Sequence, residues 1–223
     1  RTFDKNLAGT LFQINWKPSN STIRKNLMRE FAKNYFNGLI NDIKSAKVSD
    51  QGGTSIDIFE GIELVSHEII SNNQNGKKLM FIGNGASAAI ASHMSTDYWK
   101  NGGIRAVAFN DSSLLTCISN DYGYKHVFEK PIEMFADAGD ILIAISSSGK
   151  SENILQGVQA AISAKCQVVT FSGFKYDNPL RAMGNYNFHV ASPAYGPVEI
   201  IHLSLCHCIC DVIIQEKSKT KNP

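Results

Sequence analysis

The chain has 223 residues, with twenty-two Lys and Arg against twenty Asp and Glu, a net charge of +2 at neutral pH. That length suits one domain, because single hydrophobic cores stop growing near ~250–300 residues, and 43% hydrophobic with 19% charged residues is ordinary globular composition. The near balance of charge argues against a nucleic-acid partner, and the longest purely aliphatic run, Ile141 to Ile145, argues against a membrane span of ~20 apolar residues.

The opening Arg1-Thr2-Phe3-Asp4-Lys5 lacks the layout of a secretory signal. Five cysteines, three of them within Cys206-His207-Cys208-Ile209-Cys210, read as packing thiols in a reducing compartment, so the expected setting is the cytoplasm. Residues 1–20 read as an irregular arm, and 21–223 as a single domain that includes a pair of N-terminal helices. Ser19-Asn20-Ser21 offers the first helix a cap, and Ile23, Leu27, Phe31, Tyr35, Leu39 and Ile43 recur at helical spacing. Gly52-Gly53 breaks that pattern before a second helix with Ile58, Ile62, Val65 and Ile69 on one side, ended by Gly76.

From Lys78 onwards strands and helices alternate. Lys78 to Ile82 is a buried strand, and Ser87 to Trp99 a helix. Strands follow at Ala106 to Phe109 and Asp140 to Ile145, then a helix at Ser151 to Ala164. Gln167 to Phe171 and Phe188 to Val190 are further strands, and Val198 to about Gln215 is a helix apolar on most sides. The alternation predicts an α/β fold: a doubly wound, mainly parallel five-stranded sheet flanked by helices.

Two loops stand at strand ends, where such sheets bind ligands. Gly83-Asn84-Gly85-Ala86-Ser87 follows one buried strand, and Ser146-Ser147-Ser148-Gly149-Lys150-Ser151 follows another. The second collects four hydroxyls at a helix N-terminus, a setting suited to a phosphate. One serine there would be a cap; four within six residues point to an anion. Neither loop carries the P-loop pattern or the third glycine of a dinucleotide fingerprint.

Together with Asn120-Asp121-Tyr122-Gly123-Tyr124, these loops resemble the sugar isomerase (SIS) domain, and more narrowly its phosphoheptose isomerase branch, over about Lys77 to Val212. The resemblance implies sugar-phosphate binding by Asn84, Gly85, Ala86, Ser87, Ser146, Ser147, Ser148 and Ser151, with substrate contacts also from Asn110, Asp111 and Glu199. It implies a metal and catalytic set at His93, Asp97, Glu199 and His207, holding zinc or another divalent metal. It also implies a homotetramer with sites shared between chains. The family's Glu is here Asp97 and its Gln is Glu199.

His93 and Asp97, four apart on a helix, project from one face, and Asp, Glu and His are all zinc ligands. Spacing alone pairs Glu199 with His202, three residues on; the resemblance pairs it with His207, about 12 Å of helix away. The implied chemistry is aldose–ketose isomerisation through an enediol, with Asp97 as base and His207 as acid. Tyr122 and Tyr124 read as shaping their loop, and His67, His126 and His189 as structural. The expected substrate is a seven-carbon sugar such as sedoheptulose 7-phosphate. The alternatives are a non-catalytic phosphosugar-binding adaptor or regulator, and an isomerase for another phosphosugar of polysaccharide synthesis.

Overall fold

The computed structural model describes residues 21–221. The arm expected at 1–20, with Ser19 and Asn20 of the first helix cap, lies outside the described residues. Two compact units divide the chain after Lys44. The first holds nearly all of helix α1 (Ser21–Ser45), on which Leu27, Met28, Phe36, Ile40 and Ile43 are exposed.

The second unit runs β1 (Lys47–Asp50), β2 (Ser55–Ile56), α2 (Ile58–Gln74), β3 (Leu79–Gly83), α3 (Ala86–Lys100), β4 (Ala106–Ala108), α4 (Ser112–Tyr122) and α5 (Glu129–Phe135). It continues with β5 (Ile141–Ser146), α6 (Glu152–Ser163), β6 (Gln167–Gly173), β7 (Tyr186–Val190) and α7 (Tyr195–Lys221). The strands form one sheet in the order β2-β1-β7-β6-β5-β3-β4. The five strands from β7 to β4 are parallel to their neighbours, and these are the five that the sequence predicts.

The sheet nevertheless has seven strands, which corrects the expected count. Lys47–Asp50 folds back through Gly52-Gly53 onto Ser55-Ile56 and pairs antiparallel with β7. Its strands are four and two residues long, too short for a periodicity to show. Helices α4 and α5 were likewise not expected. The first buries none of its residues and the second is seven residues long, so neither carries a strong apolar stripe.

Alternation along β3 and β5 sends Met80, Ile82, Leu142 and Ala144 to one face of the sheet, into a cluster with Phe128, Ile132, Ile154 and Val158. Leu79, Phe81 and Ile143 point the other way, where Phe81 meets Tyr98 of α3 with ring centroids 5.5 Å apart. Helix α7 packs on α2 and α3 on that side. Its stretch Tyr195–Lys219 is long and apolar enough to cross a membrane, with a mean hydropathy of 1.7 over its most apolar 18 residues, yet half of that window is buried inside this fold. Core packing on two neighbours accounts for much of that apolarity.

From β3 the chain moves outward to β4, then returns past β3 to lay down β5, β6 and β7 on the other side. The reversal falls between the carboxyl ends of β3 and β5, where a parallel sheet opens a crevice.

Candidate active site

Both loops at that crevice are shaped by glycine. A Cβ on Gly83 would stand 2.4 Å from the Ser87 carbonyl oxygen, so only glycine lets the first turn of α3 fold back this closely on β3. In the serine loop, Gly149 has φ +60° and a Cβ there would lie 1.9 Å from Asn178 Oδ1. Its N–H donates to the Ser146 carbonyl at 3.0 Å, closing a turn that gathers the hydroxyls.

The loops enclose a cleft of about 250 Å³. Asn84, Gly85, Ala86 and Ser87 form one wall; Ser146, Ser147, Ser148 and Ser151 form the other, over Ile145. All eight residues expected to hold a phosphate therefore line one cavity. Local bonds use the hydroxyls only in part: Lys150 N donates to Ser148 Oγ at 3.3 Å, and Ser146 Oγ to Ser151 Oγ at 3.5 Å. Ser151 occupies the N-cap position of α6 but makes no side-chain capping bond, and the Ser147 hydroxyl is buried without a partner. Capping thus does not account for the serine loop, and its remaining hydroxyl donors suit a ligand rich in acceptor oxygens. The walls are tied together by a reciprocal amide pair: Asn84 Nδ2 donates to Asn153 Oδ1 at 2.9 Å, and Asn153 Nδ2 to Asn84 Oδ1 at 2.8 Å.

A second group lies further along the helices that start at the cleft. Asp97 Oδ2 stands 3.4 Å from His93 Nε2 and 3.8 Å from His207 Nδ1, and the two imidazole rings are 5.3 Å apart. One donor atom from each of the three side chains falls within 4.8 Å of the others. Two nitrogens and a carboxylate oxygen at that separation fit a zinc ligand set with a position left open. The register of α3 against α7 is fixed beside this trio, where the buried Tyr98 hydroxyl donates to the Cys206 carbonyl at 3.2 Å.

The remaining expected residues divide between the cleft and other places. Glu199 is not in the trio but lines the cleft with Tyr195, and burial pushes its carboxyl pKa up from the ordinary value. Its eight-residue separation from His207 keeps the two apart. His202, the alternative partner by spacing, is in the core with Nε2 on the Ser172 carbonyl at 3.0 Å. Neither residue expected at the sugar reaches the cleft lining. Asn110 donates to the Ala88 carbonyl and Ser92 Oγ of α3. The Asp111 carboxylate caps α4 through Ser113 N and Leu114 N at 2.9 and 3.1 Å, bonds that hold its pKa down. Two residues were missed: Tyr195, one turn before Glu199 on the same helix face, and Asn153, in the first turn after the serine loop. Of the three clustered cysteines, Cys206 and Cys210 are buried packing residues and Cys208 is exposed.

Comparison with known proteins agrees with this geometry. The SIS domain profile matches residues 57–173. Phosphoheptose isomerase from Helicobacter hepaticus is 32% identical over 167 residues, covering 72% of this chain and 85% of the relative. The Shewanella denitrificans enzyme of the same name is 35% identical over 162 residues, 69% of this chain and 83% of the relative. Among solved structures, the Neisseria gonorrhoeae phosphoheptose isomerase superposes with a TM-score of 0.73 at 29% identity, covering 83% of this chain and 99% of that one. The Francisella tularensis phosphoheptose isomerase gives 0.71 at 26%, covering 88% and 100%. The cleft at the sheet's switch point, the matched profile and these relatives together show that the chain belongs to the SIS domain family, in its phosphoheptose isomerase branch.

Proposed function

We propose that the protein is an aldose–ketose isomerase converting sedoheptulose 7-phosphate to D-glycero-D-manno-heptose 7-phosphate in the cytoplasm. The carrying observation is the pairing of a hydroxyl-lined phosphate cleft with a His–Asp–His trio along the same two helices. His93 follows Ser87 by six residues, about 9 Å of helix. The seven bonds from phosphorus to C2 of a heptulose phosphate span roughly 8 Å, at about 1.2 Å per bond of an extended chain. A substrate anchored at the cleft is thus long enough to bring C1 and C2 towards the trio, which supports a seven-carbon sugar.

In the forward direction Asp97 takes a proton from C1 of the ketose while His207 donates one to the C2 oxygen, giving the enediol. The hydroxyl proton on the C1 oxygen then returns to His207, and Asp97 delivers its proton to C2, leaving the aldehyde at C1. His93, Asp97 and His207 would hold zinc, whose contribution when bound is Lewis-acid polarisation of the sugar carbonyl. Glu199 and Tyr195 flank the phosphate end. Incubation with a panel of ketose phosphates, followed by NMR, tests the assignment. Heptose 7-phosphate should accumulate from sedoheptulose 7-phosphate, and turnover of a different ketose phosphate in its place would move the protein to another branch of phosphosugar metabolism.

Ser148→Ala and Ser151→Ala should each weaken sugar-phosphate binding, by roughly 10- to 100-fold, since hydrogen bonds to a charged group contribute about 1.5–3 kcal/mol. Melting temperature should barely move, because Ser151 makes no capping bond to lose. Calorimetric affinities equal to wild type in both variants would show that the hydroxyls do not hold the phosphate.

The assembly we propose is a homotetramer with sites shared between chains. Its support is the exposed apolar surface of α1 and of Trp99, Met134 and Phe135, more than a solvated monomer ordinarily shows. Light scattering should give about four times the 24.5 kDa of one chain; a monomer mass would exclude the shared site.

A further inference from the structure

The segment Asn120 to Tyr124 has no part in the chemistry above, yet one of its side chains bonds to Asn84 in the wall of the cleft. Gly123, at φ +90°, ends α4, and the chain turns at Tyr124–His126. The turn is held by local contacts: His126 Nδ1 meets Glu129 Oε2, and the Lys130 ammonium lies 5.7 Å from the centre of the Tyr122 ring. From it the Tyr124 hydroxyl donates to Asn84 Oδ1 at 3.0 Å.

That bond completes the hydrogen bonding of one carboxamide. Asn84 Oδ1 already accepts from Asn153 Nδ2 at 2.8 Å, so the Tyr124 hydroxyl fills its second lone pair. Asn84 Nδ2 uses one of its two hydrogens on Asn153 Oδ1 at 2.9 Å. The other hydrogen has no protein acceptor among the described residues, and Asn84 itself lines the cleft. Asn153, the inner partner, is 3% exposed and cannot turn to water. Three bonds from two segments therefore hold Asn84: one from the turn after α4, and two exchanged with α6, the helix that follows the serine loop.

We propose that Tyr124 is a positioning residue for phosphosugar binding, clamping the Asn84 carboxamide so that its remaining N–H serves the phosphate. Tyr124 touches no reacting atom in this scheme; it acts through Asn84 on affinity and not on proton transfer. The inference rests on the phosphosugar reading for its ligand, though not on isomerisation.

The test uses the full chain and two probes, inorganic phosphate by calorimetry and sedoheptulose 7-phosphate by kinetics. Tyr124 is 55% exposed, so Tyr124→Phe should fold and melt as the natural protein does. It should weaken phosphate binding and raise KM by roughly fivefold, the worth of one net hydrogen bond, with kcat unchanged. In an Asn84→Ala background the same substitution should have no further effect, because the residue through which it acts is gone. Wild-type phosphate affinity in Tyr124→Phe overturns the proposal. So does a full fivefold loss in the Asn84→Ala background, which would place Tyr124 directly on the ligand. A natural protein that binds phosphate but isomerises no ketose would sink the proposed activity and leave this inference standing. One that binds no phosphate would sink both.

Discussion

Asp97→Asn should abolish isomerisation while leaving phosphosugar binding nearly intact. The carboxylate is the group assigned to carry the proton between C1 and C2, and an amide cannot accept it. The substitution lies about ten residues along α3 from Ser87, about 15 Å by helical rise, so the phosphate cleft is untouched. Asp97→Glu should also impair turnover, though it restores the residue type that the family resemblance implies. In the present structure Oδ2 is already 3.4 Å from His93 and 3.8 Å from His207, while Oδ1 accepts from Asn101 Nδ2 at 3.3 Å. One more methylene drives the carboxylate into the two rings or out of line with them, and misplacement by about 1 Å can cost a reaction ~100-fold. Single-turnover rates and calorimetric affinities on both variants separate chemistry from binding, and their zinc content separates loss of a base from loss of a ligand. A gain in activity on sedoheptulose 7-phosphate in Asp97→Glu would show that the natural site is set for a different sugar.

The parts of this site that could be read in advance are those written locally. Each loop at the cleft is a buried strand followed within one residue by Gly or Ser, and the His93–Asp97 pair lies within one helical turn. Strand, loop and helix therefore stand next to one another in the sequence as they do in space. His207 is different, because its place beside Asp97 depends on how α7 packs on α3, and only the family resemblance pointed to it. The same dependence separates the two roles expected of Glu199. The resemblance gave it both to the substrate and to the metal; helical rise separates it from His207, outside the His93–Asp97–His207 group, and the fold turns it to the cleft. Asp111 shows a third limit. Its identity as a helix cap was hidden because α4 buries nothing, so no apolar pattern announced a helix for it to cap.

Acidification should destabilise the fold steeply between about pH 6.5 and pH 4, through two histidines that play no part in the chemistry. His202 is fully buried, and its Nε2 meets the Ser172 carbonyl, leaving Nδ1 without a partner. His189, across from Lys47 in the β1–β7 pair, is 1% exposed. Its Nδ1 faces Ser172 Oγ at 3.3 Å, and its ring meets Tyr176 edge-on. Burial lowers the His202 pKa to about 4, with a further push from His189, against the opposing Ser172 bond. Burial also lowers His189 to about 4, helped by the nearby Arg181 and Lys47 charges. Both rings are therefore neutral in the fold over a range in which the unfolded chain, titrating near 6.5, takes up protons. Above that value neither state binds a proton at these sites and nothing is lost. As pH falls towards 4 the unfolded state gains up to about 3 kcal/mol from each ring, and below 4 the loss levels off because both states are protonated. Urea midpoints measured from pH 8 to pH 4 should trace this decline. His202→Gln keeps a donor for the Ser172 carbonyl but cannot titrate, so its decline should be shallower by about half. An unaltered pH dependence in that variant would mean that the acid sensitivity arises elsewhere, in the carboxylates, and not in the buried pair that meets Ser172.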